Sequence, residues 1–327
     1  MISVVVPTFN RPQGLKVAVE SVFAQTLTAS GFELVIVDNT PDATAAEMIA
    51  NLEAACPPSI RFIALHEPAA GVANARNTAM SAVSSDLVAF LDDDQSAPEN
   101  WLEKLLENYR AYPAAVTFGP VITRLPEGHR RHQDYFEGFF ARDPDLASGY
   151  IEDSFGCGNA LIDFARIDGG APWFDTQMNE IGGEDDLLFQ RVRRSKAQFA
   201  WAAEAGVSEY PVPERVTLNY TLRRAFSYGQ APITLARRGG RKRFDLVLAW
   251  MLVGLGKTAL HGTQWVALSL IRHPNRAFQL DLAVRGISKI FWWIDLRFYG
   301  EAALKQRRLK AQRPKQSAFS VKAERAS

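Results

Sequence analysis

Short apolar runs alternate with longer amphipathic stretches through the first hundred residues. Residues 3–6, 34–37, 60–65 and 87–91 are brief, apolar and bounded by polar or turn-forming residues, the pattern of buried strands. Between them, Arg11 to Ala24, Ala43 to Ala55 and Val72 to Val83 space their apolar positions as helices do. Such alternation predicts an α/β fold, a mostly parallel central sheet flanked by helices. Ligands of these sheets bind outside the carboxyl ends of the strands. Three polar clusters fall there: Thr8 with Asn10, Asp38 with Asn39, and Asp92 to Asp94.

After a helix predicted at 101–109, residues 115–122 read as one strand and 124–155 as a long irregular segment, the usual form of a functional loop or lid. Further strands are predicted at 156–162 and 199–202, and a helix at 184–196 entered tightly through Gly182-Gly183. The last quarter changes character. Residues 246–256 and 258–271 are uncharged apart from His261, with Lys257 between them. Neither piece reaches the roughly 18–20 residues of a spanning helix, although the two together do if Lys257 is tolerated. Leu280, Ile287, Phe291, Ile294 and Phe298 then recur at helical spacing opposite Asp281, Arg285 and Lys289. This predicts an amphipathic helix, with Trp292 and Trp293 suited to an interface.

Charge divides the chain in the same place. Net charge is only +1, yet residues 1–222 hold 16 Lys and Arg against 31 Asp and Glu, and residues 223–327 hold 21 against 5. An acidic soluble body followed by a basic segment points to an anionic partner, a lipid surface or nucleic acid. The adjacent apolar, tryptophan-bearing stretches favour lipid over nucleic acid, and eight basic residues in 305–325 add to the attraction. Cys56 and Cys157 form neither a disulfide framework nor a metal spacing, so a reducing compartment fits. With no charged, cleavable leader at the start, the expected location is the cytoplasmic face of the inner membrane. The expected organisation is a catalytic domain over 1–230, a helical membrane-associating extension over 231–304, and a basic, disordered tail over 305–327.

Three adjacent carboxylates at a strand end repel one another and lose solvation, so Asp92, Asp93 and Asp94 call for a cation. A divalent metal carrying a sugar-nucleotide diphosphate is the candidate, since Mg²⁺ and Mn²⁺ take carboxylate and phosphate oxygens together. The plain alternative is an acidic turn capping the next helix. Asp38 is placed to accept from the imide of a uracil-like base, or is simply a turn-former. Glu184-Asp185-Asp186 lies at a helix start, where the dipole alone favours carboxylates, or supplies a general base in Asp185. Arg76 would pair with Asp38 or reach the nucleotide. Arg223 and Arg224 would fold over a diphosphate, or face a membrane as bare charge.

Taken in order, Val4-Val5-Val6-Pro7-Thr8-Phe9-Asn10-Arg11, Val37-Asp38-Asn39, Gly71 to Asn77, Leu91 to Asp94, Gly158 to Ile162 and Gly182-Gly183-Glu184-Asp185 resemble the motifs of family 2 glycosyltransferases over residues 1–230. The resemblance implies a GT-A fold and inversion at the anomeric carbon. By position it assigns Pro7, Thr8 and Asp38 to the nucleoside pocket, with Arg76 in support; Asn10, in the first of these motifs, is a further nucleotide-binding candidate. Asp92 and Asp94 would serve ribose, diphosphate and an Mn²⁺ or Mg²⁺ ion, with Asp93 and Glu184 beside the substrate and Asp185 as base. Leu187 stands where the family often has a further acid, and the Gln-x-x-Arg-Trp motif of processive synthases is absent. The expected enzyme adds one sugar from a nucleotide-sugar donor, a UDP-sugar by resemblance, to a membrane-associated, lipid-linked glycan acceptor. The alternatives are an inactive nucleotide-sugar-binding scaffold and a nucleotidyltransferase. The latter lacks a basic glycine-rich loop for a triphosphate.

Overall fold

The computed structural model describes residues 2–27, 31–179, 182–238 and 243–294. Strands β1 (Ser3–Thr8), β2 (Phe32–Asp38), β3 (Ile60–His66) and β4 (Leu87–Phe90) are connected by helices α1 (Pro12–Phe23), α2 (Ala46–Ala54) and α3 (Val72–Met80). The four strands pair in parallel in the order β3-β2-β1-β4. Both faces of these strands are covered, which is why their sequences read as unbroken apolar runs. Val4, Val6, Leu34 and Ile36 enter one core with Leu15, Val19 and Leu105. Their neighbours Val5, Val35 and Val37 enter the other, with Ala75, Leu188 and Phe189.

The chain continues through β5 (Gln95–Ser96), α4 (Trp101–Ala111), β6 (Val116–Phe118), β7 (Val121–Thr123), α5 (Gln133–Phe140), β8 (Gly149–Ile151), β9 (Ala160–Asp163), α6 (Glu184–Arg194), β10 (Phe199–Trp201) and β11 (Val207–Glu209). The main sheet has eight strands, extended past β4 by antiparallel β9 and then β6, β10 and β8, while β5, β11 and β7 form a small second sheet. The single strand predicted at 115–122 is therefore two, in different sheets. Gly119-Pro120 breaks it, because Pro120 has no N–H to give a ladder. The stretch predicted as irregular contains α5 and β8, whose short lengths hide their periodicity. The strand predicted from 156 starts only at Ala160, because Asn159 turns with φ 64°.

Helices α7 (Leu218–Gly229), α8 (Ala231–Arg238), α9 (Phe244–Leu270) and α10 (Arg276–Ile290) follow. α9 runs unbroken through Lys257, which an exposed helical position accommodates without cost. α10 inverts the expectation for its faces: Asp281 and Lys289 are buried, while beyond its end Phe291, Trp293 and Ile294 are exposed. Tyr135 donates to Asp281 at 3.2 Å and Lys289 donates to the Gly229 carbonyl at 2.8 Å, so the polar stripe docks on α5 and α7. Phe298 and the tail from 305 lie outside the described residues.

Candidate active site

The carboxyl ends of β1, β2 and β4 meet where the sequence clusters fall. Thr8 and Asp38 are register partners, and Asn39 donates to the carbonyls of Glu67 and Ala69 while accepting from Gly71 N–H at 2.7 Å. Asn39 thus joins the ends of β2 and β3 to the start of α3. Asp38 is buried; its Oδ1 accepts from Thr40 N–H (3.0 Å) and hydroxyl (2.7 Å), and Oδ2 accepts from Ala45 N–H at 2.8 Å. It fastens the turn into α2. Pro7 is half-buried beneath this edge and Asn10, in the left-handed region at φ 57°, is exposed beside Thr44.

The three acidic residues after β4 separate by partner. Asp93 turns inward and accepts from the Thr8 hydroxyl (2.8 Å), Phe9 N–H (3.2 Å) and Arg11 (3.0 Å). Burial pushes its carboxyl up to about 6 against the pull of Arg11. Asp93 therefore anchors the strand end to β1 and Arg11. The same Arg11 nitrogen reaches Asp94 at 2.5 Å, and Arg215 stands 3.6 Å from that carboxylate. The cation that the acidic run demands is thus partly supplied by Arg11, which lies in the N-terminal motif but carried no assigned role.

Asp92 turns from Arg11 toward Arg76 while remaining an electrostatic neighbour of Asp94. Arg76, at the buried face of α3, sits 3.7 Å from Asp92 and 2.6 Å from Glu184, with its guanidinium over the Phe174 ring at 5.5 Å. This corrects the expected pairing of Arg76 with Asp38: the arginine instead joins the end of β4 to the start of α6. Burial raises the carboxyls of Asp92 and Glu184 while Arg76 opposes the shift in both. Gly183, at φ 89°, enters α6 in a conformation that a side chain would strain, which sets Glu184 inward and Asp185 toward the turn before β9. There Cys157 N–H donates to Asp185 Oδ2 at 3.3 Å. A Cβ on Gly158 would overlap the Asp92 carboxylate, and one on Gly156 would overlap Arg142 while lying 3.4 Å from Asp185. Asp92, Asp185 and Arg142 converge on this turn. Cys157 stays a thiol because burial raises it well above its ordinary value.

Arg142 and Glu209, 3.8 Å apart, border the candidate site, and the sequence did not reveal them. They sit on an isolated bridge and on a short strand with no local motif. Burial, then Asp94, pushes Glu209 up to about 7. The turn itself is held by Asn159, whose Oδ1 accepts from Trp101 Nε1 (2.7 Å) and whose Nδ2 donates to the carbonyls of Pro120 and Ala205 (both 2.8 Å). On α7, Arg224 donates to Tyr228 at 2.7 Å, lies 5.9 Å over Phe139 and is an electrostatic neighbour of Glu209. Arg223 is half-buried on the same helix.

Among the described residues no group of three His, Cys, Asp or Glu side chains is close enough to hold a metal unaided. Asp92 and Asp94 nevertheless offer hard oxygen donors on one strand end. Such a pair fits Mg²⁺ or Mn²⁺ arriving with a diphosphate, because these ions accept one or two carboxylates and fill other positions with phosphate oxygens and water.

Comparisons with known proteins bear on the family and the fold. The model of the family described as "Glycosyl transferase family 2" matches residues 3–165. The succinoglycan biosynthesis protein ExoM of Rhizobium meliloti (strain 1021) is 31% identical over 259 residues, covering 78% of this chain and 80% of that protein. The pre-mycofactocin glycosyltransferase of Mycobacterium tuberculosis (strain ATCC 25618 / H37Rv) is 29% identical over 272 residues, covering 78% of this chain and 53% of that protein. Among solved structures, the mannosyltransferase PcManGT from Pyrobaculum calidifontis, in complex with GDP-Man and Mn²⁺, matches with TM-score 0.59 and 18% identity over 90% of this chain and 88% of that one. TarS 1-349 of S. aureus, in complex with UDP-GlcNAc, matches with TM-score 0.53 and 12% identity over 89% and 91%. At these identities the structural likeness is one of fold, the GT-A-like α/β architecture.

Proposed function

The chain belongs to glycosyl transferase family 2 and is a glycosyltransferase acting on nucleotide-sugar donors in glycan biosynthesis; from that premise we propose how its residues divide the work. The observation that carries the proposal is the convergence of Asp92 and Asp185 on the Gly156–Gly158 turn, with Arg76 bracing both acidic segments. One carboxylate group serves the donor and the other serves the acceptor.

Asp185 is the general base. Its half-buried carboxylate, oriented by Cys157 N–H, takes the proton of an acceptor hydroxyl as that oxygen forms its bond to the anomeric carbon. The bond from that carbon to the diphosphate breaks on the opposite face, so the configuration inverts. Thr8, Asn10 and Asp38 border the nucleoside and Asp92 the ribose. A divalent ion held by Asp92 and Asp94 would neutralise charge on the departing diphosphate. Arg215 and Arg224, beside Asp94 and Glu209, supply fixed positive charge to the same end.

The acceptor is proposed to be lipid-linked, with the body held at an anionic membrane surface. α9 is long and apolar enough to cross a membrane by length and composition, and only 11% of its apolar window is buried. The test is a panel of nucleoside-diphosphate sugars incubated with the purified chain, with and without Mn²⁺ or Mg²⁺. Metal-dependent binding or slow hydrolysis of one donor is expected. No response to any donor would leave the inactive scaffold as the better reading.

A further inference from the structure

α9 and α10 pack antiparallel and closely. A Cβ on Gly254 would overlap the Gly286 backbone, one on Gly286 would overlap Thr258, and His261 Nδ1 lies 2.8 Å from Gln279 Oε1. On its other side α10 is pressed against α7, where a Cβ on Gly229 would overlap Ser288 and where Lys289 caps the Gly229 carbonyl. α10 is thus sandwiched between α9 and the catalytic body. If α9 crossed a bilayer, α10 with Asp281, Arg285 and Lys289, and α7 behind it, would be drawn into hydrocarbon. α9 instead offers a flank: Leu248 (60% exposed), Leu252 (61%), Leu255 (53%), Val266 (52%) and Leu270 (82%) recur at turn-related spacing along about 33 Å of helix.

This apolar stripe ends at the α9–α10 turn on Leu270 and Ile271, and basic residues surround that point. Arg272 and His273 follow in the turn, and Arg276 opens α10. Close to Arg276 stands His132, in the loop before α5 that also carries His129, Arg130 and Arg131. Burial, then Arg276, Arg131 and His129, lowers the half-buried His132 imidazole. Phe278 stacks edge-on against Tyr135 at 5.4 Å to hold α10 on α5. Among the described residues, Arg130, Arg131, Arg272 and Arg276 have no carboxylate within ion-pairing distance. Like charges concentrated beside exposed leucine and isoleucine call for anions that come with an apolar phase.

We infer that the corner formed by the α9–α10 turn and the 129–132 loop binds the headgroups of anionic phospholipids, with Leu270 and Ile271 inserted between them and α9 lying along one leaflet. The inference rests on the membrane association proposed above and adds where and how the bilayer is held. Half of the site comes from the catalytic body, so docking fixes the orientation of the acidic cleft as well as its distance from the lipid.

The full chain is floated with vesicles of phosphatidylcholine alone and of phosphatidylcholine mixed with phosphatidylglycerol. The wild type is expected to prefer the mixed vesicles. Arg131→Gln with Arg276→Gln should weaken that partitioning about 30-fold, roughly fivefold per charge. Arg110→Gln with Arg194→Gln, on α4 and α6, should not change it. Both arginines of the test pair are outside the core, and an unchanged thermal midpoint confirms that the variant folds. If the wild type prefers anionic vesicles and the Arg131/Arg276 variant binds them equally well, the site is overturned while membrane association stands. If the wild type binds neither vesicle, membrane association itself fails and takes the site with it.

Discussion

Arg76 on α3 and Glu184 form a buried ion pair at 2.6 Å that spans 108 residues of sequence, and with Asp92 3.7 Å from the same guanidinium it ties the end of β4 to the helix carrying Asp185. Donor and acceptor chemistry sit on segments far apart in the chain. Their relative placement depends on one guanidinium.

Removing that guanidinium leaves Glu184 buried and unpaired and strips Asp92 of its nearest cation. Arg76→Met is expected to cost about 3–5 kcal/mol of stability, and Glu184→Gln in the Arg76→Met background should recover much of it. Urea unfolding of the two variants and the double variant measures this. Equal losses in the single and double variants would mean that the pair does not brace the site.

Arg11 and Asp93 provide a pH-dependent counterpart. Asp93 is already raised to about 6 by burial, above its unfolded range, so its protonation favours the folded state and that contribution is lost as pH rises through about 6. Without Arg11 the charged form loses its partner and the titration moves higher still. Arg11→Gln should therefore be mildly destabilising at pH 5 and cost about 3 kcal/mol or more at pH 8. Unfolding midpoints across that range check the sign; a deficit that shrinks with rising pH would contradict it.

Asn159 combines a left-handed backbone with three side-chain hydrogen bonds to Trp101, Pro120 and Ala205. Asn159→Ala takes the amide from the indole N–H and the Ala205 carbonyl, leaves the Pro120 carbonyl with only the Val207 N–H, and strains the turn. A loss of about 3 kcal/mol is expected by urea unfolding. A neutral effect would mean that water replaces the amide and that Asn159 does not fix the turn beside Asp92 and Asp185.

The parallel half of the sheet and the order of the acidic clusters were legible because they are written locally. β1, β2 and β4 are apolar runs ending in polar residues, and Asp92 to Asp94 and Glu184-Asp185 are contiguous in sequence. What was hidden is non-local. The Arg11 to Asp93, Arg76 to Glu184 and Arg142 to Glu209 pairs each join segments more than sixty residues apart, and nothing in the neighbourhood of either partner announces the other. The inward polar face of α10 was missed for the same reason. A charged stripe reads as solvated unless the partner is known, and here Tyr135 and the Gly229 carbonyl receive it.

The most direct test of the central claim is Asp185→Asn, assayed for sugar transfer to acceptor and, by calorimetry, for nucleotide-sugar affinity with metal present. Asparagine keeps the shape and cannot take the proton. Transfer should fall by about 10²–10⁴-fold while donor affinity stays near that of the wild type. Full transfer by the variant would contradict the assignment of Asp185 as the base.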